Sequence, residues 1–128
     1  MNSTIAARLY VALITCIILF QIALAAGMPW GEFAWGGSHP GTLPGQLRIA
    51  SGASVAVLLA LAFVVLVRAG LLLQRWKDRT RRLIWVVVGY SALGVVANAI
   101  TPSTSERMLW LPVSLLLLLV SLIVARNP

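Results

Sequence analysis

"IASGASVAVLLALAFVVLV", residues 49 to 67, decides the fold. It holds no Asp, Glu, Lys or Arg, and a helix of about 20 such residues crosses a hydrocarbon layer roughly 30 Å thick. A strand of a membrane barrel would alternate apolar and polar side chains, and "LLALAFVVLV", residues 58 to 67, does not. Because lipid offers the backbone no hydrogen-bond partners, the stretch predicts a spanning helix.

Three further blocks, 9–26, 83–100 and 108–125, are equally free of charge. Of 128 residues, 60% are hydrophobic and 10% charged, against about 25% charged in an ordinary soluble domain. The expectation is an all-α integral membrane four-helix bundle, a single domain over residues 1–128. A loop at 27–48 would join its first two helices and a loop at 68–82 the middle pair. Arg8, the run after it and "ALAAG" imitate a secretory signal, but the run exceeds a signal's apolar core of about 7–15 residues. Cleavage near residue 25 would leave three helices.

Charge gives the orientation. "RAGLLLQRWKDRTRR", residues 68–82, carries six of the ten basic residues. Arg8 and Arg126 share its side, leaving only Arg48 and Arg107 opposite. The positive-inside rule therefore predicts an N-in/C-in multi-pass protein of a cell's inner (plasma) membrane, with 68–82 cytoplasmic. Fifteen residues between spans leave little room for a base-reading module, so the net charge of +7 does not indicate nucleic acid. Anionic lipid headgroups are the expected partners of 68–82, with Trp76 at the interface. Cys16, the single cysteine, has no intramolecular disulfide partner and is expected as a buried, unreactive thiol.

The opposite face holds the chemistry. "GMPWGEFAWGGSHPGTLPGQLR", residues 27–48, has six Gly, three Pro, Glu32 and the single histidine, His39. It reads as a turn-shaped loop of a length that is often functional. Its Trp30, Phe33 and Trp35 are expected at headgroup level. In "TPSTSER", residues 101–107, Ser103 or Thr104 can cap the last helix, and Ser103 with Glu106 has capping-box spacing. Arg107 can pair with Glu106 or Glu32.

Within the helices, Gln21, Ser51, Ser54, Asn98 and Ser114 all fall in the predicted outer half. Tyr90, Gly94 and Asn98 share one helical face. Polar groups at that depth point into a bundle or a wet cavity, so they predict either an outward-opening cavity or hydrogen bonds between helices.

"WGG" at Trp35–Gly37, "LP" at Leu43–Pro44, "ER" at Glu106–Arg107 and "LP" at Leu111–Pro112 give the chain a further property. It resembles a class of small bacterial four-helix inner-membrane proteins of unknown function. That resemblance implies fold and membrane but no activity. Pro112 is expected in the first turns of the last helix, where its missing N–H does least harm. Small multidrug transporters share the architecture, yet rely on an acid in their first helix where this chain has Gln21.

The leading functional expectation is a non-enzymatic protein binding a small or lipid-like ligand, or a partner subunit, through its extracytoplasmic face. The candidate residues are Glu32, His39, Arg48, Asn98, Glu106 and Arg107. A membrane enzyme using Glu32, His39 or Glu106 for acid–base work on an amphiphile is the alternative, and a structural subunit or homo-oligomer is another. The sequence carries no metal-binding spacing and names no cofactor.

Overall fold

The computed structural model describes residues 1–127. It contains α1 (Ser3–Ala26), α2 (Gly45–Arg68), α3 (Leu83–Ile100) and α4 (Thr104–Arg126), with no strand among the described residues. All four helices are long and apolar enough to cross a membrane.

Three helices start before their apolar blocks, and at two of them a capping side chain, rather than hydropathy, sets where helical hydrogen bonding begins. Asn2 Oδ1 accepts the Ile5 amide at 2.9 Å, starting α1, and Ser103 Oγ accepts the Glu106 amide at 3.1 Å, starting α4. Since α4 begins at Thr104, Pro112 lies more than two turns inside it. That corrects the first-turn expectation: the ring removes an amide that would have bonded the Met108 carbonyl.

α1 packs on α2 and α4, while α3 packs chiefly on α4. The end carrying the 27–44 loop is the loop end; the other is the basic end. The tight core occupies the basic half, where Ala6, Ala7, Tyr10, Val65, Ile84, Val87 and Val124 are fully buried. A smaller cluster of Leu24, Ala34 and Leu43, backed by Phe20 and Leu47, seals the loop end.

Large apolar side chains face outward: Leu93 is 70% exposed and Ile100 75%. Serines face inward. Ser91, Ser114 and Ser121 are buried and donate to Val87, Leu111 and Leu118 carbonyls of their own helices. This distribution suits a lipid surround, in which small hydroxyl residues let helices approach and apolar ones meet acyl chains. It also corrects the expectation for Cys16, which is exposed on the outer surface of α1 rather than buried.

The 68–82 segment forms a 3-10 turn over Gln74–Thr80, on which Arg75 and Arg79 lie 5.8 and 6.0 Å from the centre of the Trp76 ring. Arg68 is buried and donates to the carbonyls of Lys77 and Asn127, tying α2 to this turn and to the end of α4.

Candidate functional site

At the loop end the four helices diverge around a cavity of about 270 Å³. Each helix contributes residues at helical spacing. α1 supplies Tyr10, Ile14, Ile17 and Gln21; α2 Ser54 and Leu58; α3 Tyr90, Ser91, Gly94 and Asn98; α4 Glu106, Trp110, Ser114 and Leu117. Tyr10 to Gln21 and Glu106 to Leu117 each span eleven positions, about 16 Å at about 1.5 Å per residue, so the cavity reaches the middle of the bundle.

The loop closes it. Phe33, Ala34 and Trp35 face the cavity, held by bonds between segments far apart in sequence. The Gly36 amide donates to Glu106 Oε2 at 3.0 Å, Trp110 Nε1 to the Phe33 carbonyl at 2.9 Å, and Trp35 Nε1 to Ser51 Oγ at 3.1 Å. Ser103 Oγ, besides capping α4, donates to the Glu32 carbonyl at 2.6 Å. Phe20 lies against Trp110, ring centres 4.8 Å apart, and stacks on Trp30 at 6.2 Å. Phe33 is half-buried and Trp35 remains 41% exposed, and both line the cavity, with the Phe33 carbonyl and the Trp35 indole N–H bonded to Trp110 and Ser51.

The capping-box expectation is half met. Ser103 caps as its spacing predicts, but the Glu106 side chain does not return to the Ser103 amide. That amide donates to Thr101 Oγ1, and Glu106, 8% exposed, serves the loop instead. Nor does Arg107 pair with an acid; it donates to the Thr101 carbonyl and Thr104 Oγ1.

Of the six candidate residues, Asn98 and Glu106 line the cavity. Glu32 and His39 are exposed, bonded to Ser105 and Ser38 respectively. Arg48 Nε donates to the Ala25 carbonyl in the last turn of α1, which is a helix-capping role. Glu32, His39 and Glu106 thus have separate partners. Among the described residues, no group of three or more His, Cys, Asp or Glu side chains is placed to hold a metal.

Tyr10 is not legible as a cavity residue in sequence, whereas Gln21 is one of the outer-half polar groups that the sequence places toward a cavity. Tyr10 is fully buried, and its hydroxyl has no hydrogen-bond partner; Gln21 Oε1 is also buried and unpartnered. Both residues line the cavity. The signal available was spacing: eleven positions are close to three full turns, which puts Tyr10 and Gln21 on one face of α1. Trp110 has the same kind of signal, lying one turn from both Glu106 and Ser114 on α4.

In comparisons with known proteins, no family model, no curated protein and no solved structure matches this chain.

Proposed function

We infer that this is a multi-pass inner-membrane protein, N-in/C-in, which binds a small or lipid-like ligand in the cavity at its extracytoplasmic loop end and performs no chemistry on it. The observation that carries this reading is the cavity itself, which all four helices and the loop line with apolar and aromatic side chains around a few polar groups, among them Asn98 and the enclosed carboxyl group of Glu106. Mostly apolar walls with a small number of convergent polar groups are the usual make-up of a small-ligand site. The volume falls just below the roughly 300–1,000 Å³ usual for ligand pockets, so the site admits a headgroup or a short chain rather than a whole lipid.

Orientation is proposed from charge. The Arg75–Trp76–Arg79 arrangement presents cations around an interfacial indole, which suits anionic headgroups on the cytoplasmic side. The separate placement of Glu32, His39 and Glu106 favours binding over acid–base catalysis.

The test is the native mass of protein released gently from membranes, beside a Ser54→Leu variant that fills the cavity from α2. A reproducible extra mass on the wild type and a bare chain for Ser54→Leu, with equal helicity, is the expected result. The same extra mass on both proteins, or none on either, would overturn the reading.

A further inference from the structure

Resting on the cavity reading, we propose that the group this cavity recognises is an alkylammonium: one positive charge on a short apolar chain, with the charge placed at Glu106.

Charge selects the sign. Among the residues lining the cavity, Glu106 alone carries a formal charge, in a protein with ten basic and three acidic residues. The two cations nearest in sequence or on the same face are turned elsewhere: Arg107 to Thr101 and Thr104, and Arg48 to Ala25. Only Oε2 of Glu106 accepts a protein hydrogen bond, from Gly36. A carboxylate so enclosed is strongly stabilised by a cation and strongly opposed to an anion, because the low dielectric magnifies both effects.

The walls agree with the charge. Phe20, Phe33, Trp35, Trp110, Tyr10 and Tyr90 surround the space, and aromatic faces attract ammonium groups, most of all after water is removed. Both tryptophan N–H groups are already spent on Ser51 and Phe33, so these residues offer the ligand their rings rather than their donors. The chain has its own route. Tyr90 lines the cavity while remaining 42% exposed, so the wall at α3 reaches the apolar outer surface and an alkyl tail can extend into lipid there.

The experiment uses purified protein in neutral maltoside micelles and three probes of equal length at pH 7: octylammonium, octan-1-ol and octanoate, titrated against tryptophan fluorescence. Saturable binding of octylammonium at least tenfold tighter than either of the others is expected. Glu106→Gln, which keeps an acceptor for the Gly36 amide, should erase that preference while leaving octanol affinity unchanged. Octanol or octanoate binding as tightly as the amine to the wild type would overturn the proposal, and this arm does not depend on the variant folding. So would a preference that survives in a folded Glu106→Gln. If octanol binds, is blocked by Ser54→Leu and shows no disadvantage against the amine, the ligand class falls while the cavity reading stands; if none of the three probes binds, both fall. Phosphatidylethanolamine added to the micelles separates two sources of the same ammonium chemistry. Displacement of octylammonium identifies a lipid headgroup, its absence a free amine, and either result upholds recognition of the ammonium.

Discussion

The backbone amide of Gly36 donates to the side chain of Glu106 over 3.0 Å, across 70 positions of sequence. Through this bond the acid in the first turn of α4 holds the loop between α1 and α2 over the cavity. The same helix end anchors the loop three times more, through Ser103 on the Glu32 carbonyl, Ser105 on the Glu32 carboxylate and Trp110 on the Phe33 carbonyl.

Glu106→Ala should therefore release the loop without unfolding the bundle. A hydrogen bond to a charged group is worth about 1.5–3 kcal/mol, and the basic-half core is remote from it. Hydrogen exchange should accelerate over residues 31–37 and remain slow in α1 and α4 near the basic end. Uniform acceleration would show that Glu106 supports the whole fold rather than the loop.

Gly31→Ala should be among the most damaging single changes in the loop. A Cβ there would fall on the His39 carbonyl oxygen and 2.7 Å from that of Gly41, and both obstacles are backbone that the Gly31–Gly41 hydrogen bond holds in place. A loss of about 2 kcal/mol or more is expected, beyond the typical single-site effect of about 1 kcal/mol. Gly45→Ala provides the contrast. Nothing lies within 4 Å of its added methyl, and alanine is a better helix former than glycine at the start of α2. Thermal melts of the two variants should move in opposite directions.

Tyr10→Phe removes a buried hydroxyl that has no protein partner, so ligand-free protein should melt at the same temperature or higher. A matched loss of affinity for a ligand that uses the hydroxyl would appear only in the bound state. A lower melting temperature without ligand would mean that Tyr10 has a partner within the protein after all.

Cys16→Ala, a change on the outer surface of α1, should shift stability by no more than about 0.5 kcal/mol. In that background, an impermeant maleimide applied to intact cells should label Ser38→Cys and should reach Lys77→Cys only after permeabilisation. The reverse pattern would invert the proposed orientation.

What the sequence determined is the number of helices and their apolar centres, and that follows from solvent physics, although three of the helices extend beyond the uncharged blocks. An uncharged run of 18 or 19 residues has one stable backbone arrangement in lipid, whatever it packs against. Helical periodicity likewise placed Tyr90, Gly94 and Asn98 on one face, and all three line the cavity. Ser103 as a cap was readable for the same reason, since capping is settled within four residues.

Tertiary structure alone decided that Glu106 reaches the loop, that Phe33 and Trp35 line the cavity, and that Arg48 serves the Ala25 carbonyl. Each of these depends on a partner that folding, rather than chain proximity, brings close: Gly36 to Glu106, Ser51 to Trp35, Ala25 to Arg48. A buried hydrogen-bonding group takes whichever partner the packed backbone leaves unsatisfied, and only the three-dimensional fold determines which one that is.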